Sequence, residues 1–594
     1  MSNTTESTST RTKDRTGEAP EETTAEGETT TGARALIKTL EENGVETIFG
    51  IIGGAIMPIY DELGKSDTIR HITATHEQGA IHAADAYARV ADKPGVVFAT
   101  SGPGASNLMT GLANAYMDSS PVISVTGQVA TTLIGLDSFQ EVDVRGMSDP
   151  ITKHNYLIMS PEDVPEKVRE GLHIAMTGRR GPVLLDMPKD VQTGELTWTE
   201  PDPDRKYDFE GYKVTNGFDE EAADELAEAL REAERPMILA GGGVVSAGAR
   251  EELYALASRL RIPVSHSLMG LGTIDSTDPL FLGMIGMHGS GPANKAISET
   301  DLLLAVGTRL DDRITGDVER FAPKAKVAHV DLDPAEMGKI VEPDIPIIGD
   351  AKEVLASVLE KLEDLEKDHQ GWWQEIGDWF EKYTAEMDAE DSVLKPQTII
   401  STLDELTPED TLVTTGVGQH QMWAAQYYNF TEPGQLITSG GLGTMGFGFP
   451  AAIGTKVAAP DRTVVAITGD GSFQMNIQEL TTAIREDLDI TVVILRNGSL
   501  GMVRQWQQLF FEERLVETLI DDGTPPLARV AEAYGARGFT VAENEDVEEK
   551  LKEALDYHDG PSVVECFVAE TENVWPMVPA GAANSEFLLE ENDA

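Results

Sequence analysis

Short apolar, β-branched runs that stop at a glycine-bearing turn and give way to a helix-like stretch recur along this chain, and they constrain its fold more than any other feature. Gly95-Val96-Val97-Phe98-Ala99-Thr100 and Pro121-Val122-Ile123-Ser124-Val125-Thr126 are two such runs. The pattern restarts at Pro236-Met237-Ile238-Leu239-Ala240, which runs into Gly241-Gly242-Gly243, and continues in the runs 301–306 and 325–330. A third set falls at 464–468, 491–495 and 562–567. Strand-like runs alternating with helical stretches are the pattern of a doubly wound parallel sheet, so the expected fold class is α/β with three such sheets. A chain of 594 residues is too long for one core, and three blocks account for it.

The expected boundaries follow from composition. Residues 1–32 are Thr, Ser, Glu and Gly with almost no apolar side chain, and read as a disordered head. The first α/β block spans 33–195, and a Pro-containing linker spans 196–216. The central block spans 217–352 and a charged helical connector spans 353–395. The third block spans 396–573, and the tail 574–594 reads as irregular and acidic. Three blocks of similar size suggest duplication.

Charge excludes some functions. Acidic residues number 102 against 46 basic ones, a formal charge of -56, which argues against nucleic acid as a partner. The acids are interleaved with apolar runs, as on a globular enzyme with a very acidic surface adapted to a salt-rich (halophilic) cytoplasm. Cys566 is the only cysteine, so neither an intrachain disulfide nor a thiol-rich metal site is expected. The head lacks a signal-peptide core and no apolar run reaches the length of a membrane span, so the expected location is the cytoplasm, with no membrane partner.

The third block carries the sharpest motif. The run 464–468 leads into Gly469-Asp470-Gly471-Ser472. Glycines at a strand-to-helix turn let backbone amides approach a phosphate. Asp470 puts a carboxylate where a bare phosphate site would reject one, and a divalent cation between them removes the conflict. Mg²⁺ prefers one or two protein oxygens plus phosphate oxygens. The run 491–495 ends in Arg496-Asn497-Gly498-Ser499, and an adjacent parallel strand would bring Asn497 beside Asp470 as a neutral ligand. Asp-Gly and Asn-Gly are also ordinary turn dipeptides, so two plain β-turns remain an alternative.

GDG followed after 25 residues by Asn resembles the thiamine-diphosphate enzyme motif, although Arg496 stands where that family usually has a first Asn. The resemblance narrows to the acetolactate synthase (acetohydroxyacid synthase) catalytic subunit family over about 33–585. It is carried by Thr100-Ser101-Gly102-Pro103-Gly104, Phe139-Gln140-Glu141-Val142-Asp143, Gly286-Met287-His288-Gly289, Leu310-Asp311-Asp312-Arg313 and Gly501-Met502-Val503-Arg504-Gln505-Trp506.

That resemblance implies roles. Asp470, Asn497 and the Ser499 carbonyl would bind Mg²⁺. Val417, Gly418, Gln419, His420, Gly469, Gly471 and Ser472 would line thiamine diphosphate, with Met422 under its thiazolium and Met445 at its aminopyrimidine. Glu77, after Thr75-His76, would be the catalytic glutamate at N1′, and Gly54, Gln140 and Lys189 would approach the reacting atoms. Arg313 would hold a 2-ketoacid carboxylate, and Trp506 and Phe139 would shape the substrate pocket. Plainer readings stand beside these: a capping Glu77, a core Met422 and Trp506, and a surface ion pair for Arg313. In the central block Gly241, Gly242, Gly243, Ser267, Leu268, Met269, His288, Gly307, Arg309 and Asp331, with Arg179 from the first, resemble FAD contacts.

The implied reaction joins a two-carbon unit from pyruvate, with loss of CO₂, to a second pyruvate or to 2-ketobutyrate, for branched-chain amino-acid biosynthesis. In the family Glu77 and Asp470 meet across a subunit interface, so a homodimer or homotetramer is implied. The family often adds a small regulatory subunit. The alternatives within thiamine-diphosphate chemistry are a pyruvate oxidase, a glyoxylate carboligase or another 2-ketoacid decarboxylase. The carboligase has an apolar residue in place of the glutamate, so Glu77 speaks against it, and Arg313 and Trp506 speak against simple decarboxylases.

Overall fold

The computed structural model describes residues 28–200, 206–383 and 393–590. The expected head lies outside them up to residue 27, but its end is structured. Thr29–Thr31 pair antiparallel with Glu195–Thr197, and the Thr31 hydroxyl caps the helix Gly32–Glu42 by accepting from the Arg34 amide.

Three six-stranded parallel sheets form the body. In the first block the order is Arg70–Thr73, Thr47–Gly50, Gly95–Ala99, Val122–Gln128, Val183–Pro188, His154–Leu157. In the third it is Leu436–Ile437, Leu412–Thr415, Val464–Gly469, Thr491–Arg496, Ser562–Phe567, Arg537–Val541. Numbered along each block, both orders read 2-1-3-4-6-5. The central block runs Phe281–Met284, Val264–His266, Pro236–Ala240, Leu302–Val306, Lys326–Asp331, Ile345–Ile348, which reads 3-2-1-4-5-6. The suspected duplication thus holds for the outer blocks in topology, while the central block has the dinucleotide-binding order. Strands such as Gly95–Ala99, Pro236–Ala240 and Val464–Gly469 are buried at every position, because helices cover both faces.

Other boundaries differ from expectation. The described part of the expected connector packs on the central block. Ala351–Lys361 buries Val354, Leu355 and Val358 in the central core, and Gln370–Tyr383 packs there through Trp372 and Ile376. The tail also returns to that block. Val578 donates its amide to the Met287 carbonyl, and the Asn584 side-chain amide donates to the Ile314 carbonyl. These apolar and hydrogen-bonding groups need partners, and the central block supplies them.

The outer blocks share one core. The Ala-rich helix Glu77–Ala91 crosses Gly448–Ala458, with Ala80, Ala83, Ala84, Ala451 and Ala452 all buried in one cluster. The crossing is so close that a Cβ on Gly454 would lie 1.9 Å from the Ala83 carbonyl oxygen.

Candidate active site

In an open parallel sheet, ligands bind where the strand order reverses, beyond the carboxyl ends of the strands. In the third block the reversal lies between Leu412–Thr415 and Val464–Gly469. A pocket sits there, lined by Val417, Gly418, Gln419, His420, Met445, Gly469, Asp470, Gly471, Ser472, Asn497 and Ser499. Eleven residues named from the sequence therefore converge. Met422 does not line the pocket. It is one position away from Trp423, which does, on the helix Gln419–Tyr427. Leu500, Gly501, Met502 and Val503 also line it and were not singled out for this site. Trp423 lies four residues after Gln419, and that helical spacing could have flagged it.

The helix after the motif begins at Asp470 itself and runs to Met475. Asp470 is buried, and its Oδ1 and Oδ2 accept from the Gly471 and Gly498 amides at 2.9 Å each. Burial raises its carboxyl to about 6, and a cation bound beside it would favour the ionised form. Gly469 pairs with Leu495 on the neighbouring strand, which brings Asn497 beside the turn. The Asn497 side-chain amide donates to Gln419 Oε1 at 3.0 Å, which orients its Oδ1. Ser499 bridges antiparallel to Leu519. That pairing uses the Gly498 carbonyl and the Leu500 amide and leaves the Ser499 carbonyl outside the ladder.

The donor set fits Mg²⁺ carrying a diphosphate. Among the described residues no cluster of three or more His, Cys, Asp or Glu forms a metal site. One carboxylate with two neutral oxygens leaves positions for phosphate oxygens, which Mg²⁺ favours. His420 is buried with its Nε2 unpartnered, and burial lowers its pKa to about 3, so it is a neutral imidazole.

The first-block residues lie elsewhere. Glu77 starts the helix Glu77–Ala91, half-buried, and its Oε2 accepts from Asn107 Nδ2 at 2.9 Å. The turn before it is fixed by a third-block carboxylate: buried Glu479 accepts from the Thr75 and His76 amides at 3.1 and 2.9 Å. Lys189 Nζ donates to the Gly54 carbonyl at 3.1 Å, so those two meet. Gln140, at φ +60°, packs its backbone over Gly102, where a Cβ would lie 2.8 Å from its carbonyl oxygen. Phe139 is 87 % exposed. None of these residues lines the third-block pocket.

Arg313 is exposed, with Nε 3.7 Å from Asp312 and Nη1 3.3 Å from the Met287 sulfur. Trp506 is half-buried against Phe510, ring centroids 5.2 Å apart. Both leave an open side in the single chain.

The central block offers a second crevice. Its reversal lies between Pro236–Ala240 and Leu302–Val306, so Gly241–Gly243 and Gly307 flank it. A Cβ on Gly243 would lie 2.5 Å from the Gly307 Cα, which demands glycine there. Met269, from the turn after Ser267 and Leu268, faces Gly242. His288 Nδ1 and Thr308 Oγ1 are buried without partners. Asp331 ends the next strand, beyond the reversal, and burial raises its carboxyl to about 6. Arg309 is 3.6 Å from Asp311 and abuts Gly441 of the third block. Arg179 ties the first block to Glu336 at 2.6 Å and Asp333 at 3.2 Å. Glycine cradle, orphaned buried polar atoms and terminal acid fit a dinucleotide.

Comparison with known proteins agrees with this architecture. Residues 30–147, 223–358 and 416–566 match the N-terminal TPP binding domain, central domain and C-terminal TPP binding domain of thiamine pyrophosphate enzymes. The chain belongs to that family of three-domain α/β enzymes. It is 48% identical over 557 residues to a probable acetolactate synthase large subunit of Methanocaldococcus jannaschii, covering 93% of this chain and 94% of the relative. It is 45% identical over 567 residues to the acetolactate synthase large subunit of Corynebacterium glutamicum (94% and 90% covered) and 43% identical over 562 to that of Haemophilus influenzae (94% and 98%). Within the class, then, it falls among the acetolactate synthase large subunits.

Proposed function

We propose that this chain is the catalytic subunit of an acetolactate synthase, acting in branched-chain amino-acid biosynthesis on pyruvate and on pyruvate with 2-ketobutyrate. The observation that carries the reading is the third-block pocket, with Asp470, Asn497 and Ser499 at the switch point of a chain whose full-length relatives bear that name. Asp470, Asn497 Oδ1 and the Ser499 carbonyl hold Mg²⁺, and His420 and the glycine turns receive the diphosphate. Thiamine diphosphate, when bound, supplies the electron sink for loss of CO₂. Glu77 exchanges a proton at N1′ of the aminopyrimidine from a site held by Asn107 and Glu479. Met445 shapes the cofactor seat, with Met422 on the helix that carries Gln419 and His420. Arg313 orients a ketoacid carboxylate, while Trp506 and Phe139 narrow the acceptor space near Gly54, Gln140 and Lys189.

FAD occupies the central crevice between Gly241–Gly243, Gly307 and Asp331, with His288, Arg309 and Arg179 at its edges. The active unit is at least a homodimer, in which Glu77 of one copy meets the third-block pocket of the other; the absence of Glu77 from the pocket lining of its own chain supports this reading. The large-subunit name of the relatives fits a small regulatory partner. Among the described residues no helix is long and apolar enough to cross a membrane, and the reading places the enzyme in a salt-rich cytoplasm.

Subunit mixing tests the shared site. E77Q and D470N homodimers are each expected to lose acetolactate formation from pyruvate. A mixed population regains about one quarter of wild-type activity, because half the dimers carry one intact site of two. No recovery on mixing would place both residues in one subunit's site.

A further inference from the structure

Arg496 is where this chain departs from its family's metal motif, and nothing in the proposed chemistry uses it. It ends the strand Thr491–Arg496, directly before Asn497. All five of its N–H donors are engaged. Nη1 donates to Glu565 Oε1 at 2.6 Å and to the Pro525 carbonyl at 3.1 Å. Nη2 donates to Asp521 Oδ1 at 2.7 Å and to the Thr524 carbonyl at 3.2 Å, and Nε reaches Asp521 at 3.3 Å. Three of the four acceptor residues belong to one segment, 521–525.

That segment braces the metal turn. Leu519 pairs with Ser499, the Ile520 amide donates to the Gly498 carbonyl at 2.9 Å, and the Leu500 amide donates to Thr518 at 2.8 Å. Gly498, at φ +68°, is pressed so closely that a Cβ there would lie 2.9 Å from the Asp521 Cβ. Gln474 links Thr524 to the Asp470 carbonyl. The Ile520 side chain stands over Gly471, 3.2 Å from where its Cβ would be. Glu565, buried and also accepting from the Leu527 and Ala528 amides, anchors the guanidinium from below.

We infer that Arg496 is a positioning residue for the Mg²⁺ site: it fastens the 518–525 strap against the turn that presents Asn497, Gly498 and Ser499. A lysine has three donors and no planar fork, so it can hold Glu565 or the strap but not both. The inference rests on the Mg²⁺-diphosphate reading of the pocket. The test measures Mg²⁺ binding at saturating thiamine diphosphate by tryptophan fluorescence, Trp423 being in the pocket wall, alongside melting of the cofactor-free protein. R496K is expected to raise the Mg²⁺ dissociation constant about tenfold, as for other residues that orient metal ligands. D521N leaves the Arg496–Glu565 pair intact and is expected to move it in the same direction by a smaller factor. Wild-type Mg²⁺ affinity in both variants, whatever their melting temperatures, would overturn the role. If the wild-type protein shows no Mg²⁺-dependent signal, the pocket reading itself fails and the role with it.

Discussion

Replacing Gly454 by alanine tests the link between packing and catalysis most directly. In an exposed helix the change would stabilise by about 1 kcal/mol, because alanine restricts the unfolded chain. Here the new Cβ would stand 1.9 Å from the Ala83 carbonyl oxygen and 2.6 Å from its carbon, and real Cβ atoms essentially never come within 3.0 Å. The contact is backbone, so no rotamer can relieve it, and the crossing must open by roughly 1 Å. Overpacking of this kind costs about 1–3 kcal/mol, and here it must also cancel the propensity gain. Glu77 begins the helix that would be displaced, less than two turns from Ala83. A misplacement near 1 Å costs on the order of 100-fold in turnover. Gly377 is the control: it is exposed in Gln370–Tyr383 with nothing within 4 Å of its Cβ position. Thermal melts and kcat should therefore separate the two substitutions, with G377A at or above wild-type stability and full activity, and G454A lower in both. Wild-type melting and turnover for G454A would refute the claim that this crossing sets the position of Glu77.

Other consequences can be checked on the same preparations. E77Q should abolish acetolactate formation while leaving Mg²⁺-thiamine diphosphate binding within a few-fold, read by calorimetry. Asp186 is buried, accepts from Thr126 and Gln128 at 2.7 and 2.9 Å, and is raised by burial from 3.8 to about 7. A raised carboxyl stabilises fully below its unfolded value and loses that contribution as pH rises through the folded one, at most roughly 4 kcal/mol here. Melting temperature should thus fall between about pH 4 and 7 in the wild type and fall less in D186N. With 102 acidic residues against 46 basic ones, screening of self-repulsion should raise the melting temperature from low to molar KCl, and a flat response would count against salt adaptation.

Much of this protein was legible in its sequence because the signals are local. Strand positions, the GDG turn and the spacing to Asn497 depend on residues a few positions apart, and strand periodicity and turn chemistry act over that range. They suffice to put Asp470 and Asn497 at the ends of neighbouring strands. Glu77 was likewise proposed from its resemblance to a family motif, and the fold shows it at the start of the helix Glu77–Ala91. The fates of Phe139 and Arg313, exposed in the single chain, could not be read this way, since their surroundings come from distant segments. The same holds for the tail, whose Val578 and Asn584 find partners on the central block.

Only the tertiary structure decided that the outer blocks share one strand order and the central block another. Strand order is set by which apolar faces pack together across hundreds of residues, not by any short window. Tertiary contacts also gave Arg496 its meaning. The sequence marks it as a departure from a motif, whereas the fold surrounds it with Glu565 and the 521–525 segment and engages every donor it has. A guanidinium is bearable at that depth only when such partners converge on it, and convergence is a property of the folded chain.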